Sequence, residues 1–515
     1  MVSLDMDTNK KIIIFECMLV FILSLAWGVP ALDNISMVDD GQFGAWATHM
    51  LQGKYLYKDI YITYGPLYVY PLYFLFKNFG PSLLLLRLYF ILGTSLGIIA
   101  AYICMNQLRV SRKIRWLVII LLLLFPVISL RQGAGYVVLF LYSLAVRKER
   151  PYLFGFTGAA IGVTFLISPD IGIVVGLICF LMSVFRSIQS KSAYKELLSL
   201  GIGLLVAFGL FSTWARAEGW LESYITTTVD VFSSFSGVEV PNGQNFPNVI
   251  KLAPNSMNIF EWIKFLLSKE LMVYWLLVFY VGVLYFFLKK LVLRQLSSQD
   301  MELWLMFLYG LFLYPILLSR SGIGHLFFVI SPAFIVGGVI VEKLWNSPHS
   351  KKNKIFDRKV FLVLMVLILL FIVRLITIYR IEITKNLQLY FTQPAASQIG
   401  YVEHVKKLIE SNSSPSDTIF VFDNEPMVYM FTSRMNPTRY DLPFLASSRE
   451  KRLEILSSFI SYPPTLIIKS HKAWDVDEVS NKVRLPEVWR FIENNYYLIE
   501  KTPDVDIYKI NQKQF

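Results

Sequence analysis

Long apolar runs, broken at intervals by short charged connectors, fill most of the chain up to residue 380. They fall at 12–30, 82–106, 116–130, 133–146, 152–168, 171–185, 197–215, 270–288, 302–318, 326–343 and 359–378. Apolar segments of about 20 residues are the length a helix needs to cross a hydrocarbon core of about 30 Å. Lipid offers backbone N–H and C=O groups no partner, so these runs predict helices rather than open strands. The period-two alternation of a membrane barrel is absent. The runs at 116–130 and 133–146 are short, which predicts tilted or incompletely crossing helices.

Three stretches break this pattern. In residues 31–81, Phe43, Trp46, Ala47, Met50 and Leu51 recur at helical spacing. That spacing predicts an amphipathic helix over 41–52 lying in the membrane–water interface. Residues 216–269 show no strong period and include the turn-rich run VPNGQNFPN at 240–248. Beyond residue 380, TIFVF (418–422), TLIIK (465–469), YYLIE (496–500) and DIYKI (506–510) read as short strands, with KKLIE helical before them. The expected organisation is an α-helical polytopic membrane domain of about 11 transmembrane helices, residues 1–380, and a small C-terminal α/β domain, residues 381–515.

Composition agrees with a membrane protein. The 515 residues are 55% hydrophobic, and the mean hydropathy of +0.52 lies beyond the usual range of soluble domains. The formal net charge of +12 would suggest nucleic acid in a soluble chain. Here the basic residues sit in RVSRKIR (109–115), RKER (147–150), RSIQSKSAYK (186–195), KKLVLR (289–294) and the 342–359 connector. Alternating spans put all of these on one side, so the charge sets orientation and excludes a nucleic-acid reading. The N-terminus is then cytoplasmic, and an odd number of spans places residues 379–515 outside. Val29-Pro30-Ala31 resembles a cleavage site, but the preceding apolar stretch is long for a signal peptide and reads as a span. Cys17, Cys104 and Cys179 all fall in predicted spans, so no disulfide or cysteine metal site is expected. No Gly-rich phosphate loop, HExxH, GxSxG or internal repeat is present.

On this topology the polar residues gather at the outer face. Asp39, Asp40 and Asp59 lie in the first outer loop, with Lys54 and Tyr64 between and beyond them. Arg87 stands within two turns of the outer end of the second span. Arg131, Asp170 and the Arg320/His325 pair of SRSGIGHL occupy later outer turns. Ionisable groups at a membrane edge are costly without a role. Carboxylates there suit a general base toward a hydroxyl, or a metal site. Arg and His suit a phosphate leaving group. Together they point to group transfer from a lipid-linked phosphate. Each residue also has a structural reading. An Asp caps a helix or forms a turn, a Lys or Arg snorkels, and tyrosines such as Tyr64 form an interfacial belt. On the same reasoning His49 is interfacial, and Glu16 reaches cytoplasmic water from the first span.

Asp39-Asp40-Gly41, Ala45, the run Leu51-x-Gly53-Lys54-x-x-Tyr57-x-Asp59 and Tyr64-Gly65-Pro66-Leu67 resemble the first outer loop of GT-C glycosyltransferases. The protein O-mannosyltransferases and the bacterial aminoarabinose transferases that modify lipid A carry such a loop. Phe79-Gly80-Pro81-Ser82 followed by Arg87 fits the start of their second span. Residues 319–336 and 423–443 resemble later segments of related members. The second acid is Asp40, where many members have Glu; this leaves the choice of base open, and the resemblance favours Asp39.

The resemblance implies a hexosyl- or pentosyltransferase of the cell envelope. Its donor is a polyprenyl-phosphate sugar, and its acceptor is a hydroxyl on a protein, lipid or glycan at the outer face of a prokaryotic plasma (inner) membrane. It implies inversion, with Asp39 or Asp40 as catalytic base. Lys54, Asp59, Tyr64, Arg87, Arg131, Asp170, Arg320 and His325 would bind substrate. No cofactor is assigned, and a divalent cation held by Asp39 and Asp40 stays open. The competing reading is a polytopic transporter or flippase. Such proteins tend to carry inverted repeats and midplane charges, which this sequence does not display.

Overall fold

The computed structural model describes residues 2–28, 36–125, 128–189, 194–234, 258–266, 268–292, 298–319, 323–345, 372–377 and 397–511 (474, 477 and 478 excepted), with 254, 366, 369 and 370. The helices are α1 (Val2–Gly28), α2 (Asp39–Leu51), α3 (Tyr70–Phe79), α4 (Leu83–Gln107), α5 (Arg112–Leu124), α6 (Leu130–Lys148), α7 (Pro151–Ile167), α8 (Pro169–Gln189), α9 (Tyr194–Ala217) and α10 (Leu221–Ser234). They continue with α11 (Ile259–Leu266), α12 (Lys269–Val292), α13 (Ser298–Ser319), α14 (Ile323–Trp345), α15 (Ser397–Asn412), α16 (Met427–Thr432), α17 (Arg449–Ser461), α18 (Asn481–Arg484) and α19 (Pro486–Asn495). Every apolar run but the last coincides with a helix; most of 359–378 lies outside the described residues. Among the described residues five helices are long and apolar enough to cross a membrane: Lys10–Gly28, Leu83–Gln107, Pro169–Ile188, Tyr194–Ala217 and Leu271–Lys290.

Local chemistry sets the breaks between helices. Ser129 and Gln132 form a reciprocal capping box at the start of α6. Glu149 ends α6 in the left-handed region, and Pro151 then opens α7. Ser168 is extended before Pro169 opens α8. Proline suits a first helical turn because its missing N–H would have no partner there.

The chain divides into two compact units. The first takes residues 1–29, 90–208 and 245–391. Within it α7 and α9 cross closely through small residues. A Cβ on Gly158 would stand 2.0 Å from the Leu200 carbonyl oxygen, and one on Gly203 would stand 1.9 Å from that of Gly155. Close backbone approach is a main source of helix association where lipid competes equally for apolar side chains. Acid–base pairs tie other helices of this unit. Glu16 of α1 is wholly buried, accepts bonds from Tyr102, Arg112 and Trp116, and lies 3.7 Å from Arg115. The expectation that Glu16 reaches water is therefore corrected: donors on α4 and α5 replace the water. Arg147 pairs with Glu302, Arg186 with Glu196, and the Ser111 N–H meets Glu342. Some of the cationic side chains in the basic runs thus bind neighbouring helices.

The second unit takes residues 30–89, 209–244 and 392–515. Its sheet has the order β1-β2-β4-β3, with β1 (Ile419–Val421), β2 (Leu466–Ser470), β3 (Tyr496–Lys501) and β4 (Val505–Ile510). β1 and β2 run parallel; β4 is antiparallel to β2 and β3. Alternate residues of a strand face opposite sides, so the sheet builds two cores. On one side Ile419, Val421, Leu466 and Ile468 pack with Val405 and Ile409 of α15, Val428 and Tyr429 of α16, and Ala45 of α2. On the other, Phe420, Phe422 and Ile467 pack with Phe459 of α17, Trp489 of α19, and Tyr61. The segment around α2 is thus part of the body of this sheet. A cluster of Tyr57, Tyr70, Phe211, Trp214, Trp220 and Tyr224 joins residues 209–234 to the same unit.

The amphipathic pattern of 41–52 does form a helix, but not one laid on lipid. Residues Asp40–Met50 of α2 are buried in protein. Exposed apolar side chains are carried instead by Phe74 and Phe79 around α3, and by Ile225, Val229 and Phe232 of α10.

The α7–α9 crossing is testable. Gly158→Val and Gly203→Val should each lower the thermal transition of the detergent-purified protein, because overpacking typically costs about 1–3 kcal/mol. Gly201→Val, with nothing within 4 Å of the added Cβ, should leave it near wild type. Equal transitions for all three would refute the close crossing.

Candidate active site

Two carboxylates open α2, and Ser36 organises both. Its Oγ accepts the Asp39 N–H at 2.9 Å, and its own N–H donates to Asp40 Oδ2 at 2.7 Å. Acids in a first helical turn also meet the positive end of the helix dipole. The pair is then divided by environment. Asp39 is exposed, while Asp40 is only 8% exposed and lies 2.8 Å from Arg87 Nη1. Burial pushes the Asp40 carboxyl up, against the pull of the Arg87 guanidinium and the Ser36 N–H; the charge of Asp39 adds to the rise.

The rest of α2 is fixed by contact. A Cβ on Gly41 would stand 2.6 Å from Met427 N, and one on Gly44 would stand 2.6 Å from Met430 Sδ. Phe43 packs against Trp46, Tyr64 and Tyr68 with ring centroids 5.0–5.1 Å apart. At the last turn His49 Nε2 lies 3.1 Å from Asp441 Oδ1, both side chains being buried.

The other predicted site residues take these places. Lys54 donates to the carbonyls of Asn436 (2.5 Å) and Thr438 (3.3 Å). Burial pulls its ammonium down, while Asp441 and Asp59 oppose this. Asp59 accepts the Tyr55 N–H at 2.9 Å and so closes its own turn. The Tyr64 ring lies against Phe43 and Trp46, and its carbonyl accepts the Tyr57 hydroxyl. In the first unit, Arg131 Nη2 lies 2.6 Å from Asp170 Oδ2, its Nε donates to Ser168 Oγ at 2.7 Å, and its guanidinium stands over the Phe328 ring. Arg320 and the side chain of His325 lie outside the described residues. Asp39, Asp40 and Arg87 are thus brought together, as are Arg131 and Asp170, in separate units. Among the described residues no group of three His, Cys, Asp or Glu side chains is placed to hold a metal ion.

Sequence reasoning missed a polar cluster at the carboxyl edge of β1 and β2. Tyr401 OH donates to Glu425 Oε2 at 2.6 Å and meets Ser470 Oγ at 2.9 Å. Asn481 bonds the Phe422 carbonyl and Asn424. Burial pushes the Asp423 carboxyl up to about 7, opposed by Lys469 and the Ser470 N–H. The only signal was DNEP directly after a predicted strand.

The Asp423 shift fixes a pH dependence. The folded state holds this proton up to about pH 7, whereas an unfolded Asp releases it near pH 3.9. Folded protein binds more protons between those values, so this contribution to stability is present at low pH and is lost as pH rises toward 7. Asp423→Asn should flatten the fall of the melting temperature across that window; an unchanged slope would exclude Asp423 as its source.

No family model and no curated protein sequence matches the chain. Solved structures do. The crystal structure of ArnT from Cupriavidus metallidurans, bound to undecaprenyl phosphate, is similar over 97% of this chain and 98% of its own, at 12% identity and a TM-score of 0.53. The archaeal oligosaccharyltransferase AglB from Archaeoglobus fulgidus, in complex with an inhibitory peptide and a dolichol-phosphate, is similar over 97% of this chain and 75% of its own, at 11% identity and a TM-score of 0.50. With its long apolar helices, this chain is an integral membrane protein whose fold is similar to that of ArnT and AglB.

Proposed function

We propose that this protein is a membrane glycosyltransferase that moves a sugar from a polyprenyl-phosphate donor to an acceptor hydroxyl. The observation that carries this reading is the divided acid pair: Asp39 exposed, Asp40 buried against Arg87, on the first turn of a buried helix. Support comes from the fold, shared with proteins whose structures hold undecaprenyl phosphate and a dolichol-phosphate.

In the proposed reaction Asp39 takes the proton of the acceptor hydroxyl. The acceptor oxygen attacks the anomeric carbon opposite the phosphate, the bond from carbon to phosphate oxygen breaks, and polyprenyl phosphate leaves. The anomeric centre inverts. Asp40 holds its place through Arg87 and orients Asp39 or the sugar. Arg87 also supplies Asp40 with a neutralising positive charge. The departing phosphate, whose charge grows in the transition state, is given in this proposal to Arg131, Arg320 or His325. The proposed orientation has a cytoplasmic N-terminus, about 11 spans and residues 381–515 outside a prokaryotic plasma membrane. The acceptor is a protein, a lipid or a glycan.

The test is sugar transfer by purified protein in liposomes offered a panel of polyprenyl-phosphate sugars. Asp39→Asn should lower turnover by about 10²–10⁴, the usual contribution of a general base, with an unchanged melting profile. Turnover that survives Asp39→Asn would remove Asp39 as base. Donor moved across the bilayer without sugar transfer would favour the flippase reading.

A further inference from the structure

The acid pair stands at one end of α2 and a buried histidine at the other. A helix of 13 residues is about 20 Å long, so a pin at its last turn sets the direction of its first. His49 is wholly buried, and both of its ring nitrogens face oxygen atoms. Nδ1 lies 2.9 Å from Gln52 Oε1, and Nε2 lies 3.1 Å from Asp441 Oδ1. The Gln52 amide cannot be turned around, because its Nε2 donates to the Ser433 carbonyl at 2.8 Å. Its oxygen must therefore face Nδ1, which makes Nδ1 a donor.

Asp441 faces the other nitrogen, so the ring is held from both sides. Around it stand the Tyr429 ring, with centroids 5.2 Å apart, and Lys54, whose ammonium is tied to the Asn436 and Thr438 carbonyls. Asn436 Nδ2 donates to Asp441 Oδ1 at 2.9 Å.

We propose that His49, locked on Asp441 and Gln52, pins the last turn of α2 to segment 433–441 and so positions Asp39 and Asp40. Its catalytic consequence rests on the glycosyltransferase reading; the pin itself does not. His49 and Asp441 touch no reacting atom and are positioning residues. The contacts of Gly41 and Gly44 with Met427 and Met430 lie along the same helix and leave it little freedom to slide.

Amide hydrogen exchange on the full-length reconstituted protein decides this. Asp441→Asn should speed exchange in residues 39–51 at least tenfold, with β1–β4 unchanged; equal exchange would overturn the proposal. With an active donor in hand, Asp441→Asn should lower kcat at least tenfold and change donor KM less than twofold. His49→Gln, which keeps one donor, should fall between wild type and His49→Ala. If no donor turns over, the glycosyltransferase reading fails, while hydrogen exchange still decides the pin.

Discussion

Charge satisfaction around α2 is the constraint on which the second unit depends. This helix begins with two carboxylates, carries a histidine in its last turn and is followed by a lysine, yet Asp40–Met50 are buried. An uncompensated buried ion costs several kcal/mol, so each group must meet a partner from elsewhere in the chain. Asp40 meets Arg87, His49 meets Asp441, and Lys54 meets the carbonyls of Asn436 and Thr438. Each partner lies on a segment that also packs against α2 or its flanks, so satisfying the charges and building the core are the same event.

That coupling explains why a unit made from three distant stretches holds together. Ala45 and Tyr61 enter opposite faces of one sheet. Asp230, near the end of α10, accepts the Tyr61 hydroxyl at 2.6 Å and pairs with Lys451 at 2.8 Å. Arg439 and Lys451 stand over the Tyr61 ring. The polar ties fix register where apolar packing alone tolerates sliding. Glu16 does the same in the other unit, where lipid gives apolar surfaces no preference for one another.

Most helices and all four strands were legible because apolar runs and alternating strands are local signals. The acid pair was legible as well, since two adjacent aspartates after an apolar run demand a reason. The partners were not. His49 and Asp441 are 392 residues apart, and nothing in either neighbourhood announces the other. The pattern of 41–52 specifies one apolar stripe, but lipid and a protein core satisfy such a stripe equally well; Gly41 and Gly44, which admit Met427 and Met430, were the overlooked sign of a protein partner. Glu16 was sent to water because a lone acid in an apolar run has no visible donor. Its donors Tyr102, Arg112 and Trp116 come from two other helices.

Adjacent aspartates with the same chemistry are separated by what surrounds them, and this bears on which one is the base. Successive helical residues point about 100° apart. One turns outward; the other turns into the protein, where Arg87 occupies its Oδ2. Taking up a proton there would break the ion pair and leave a cation buried, while burial of the Asp40 carboxyl pushes the other way. Asp39 is exposed, and its bond from Ser36 Oγ is long, at 3.4 Å. On the proposed reaction the buried acid is held in place for positioning, and the exposed acid is the one that an acceptor hydroxyl can reach.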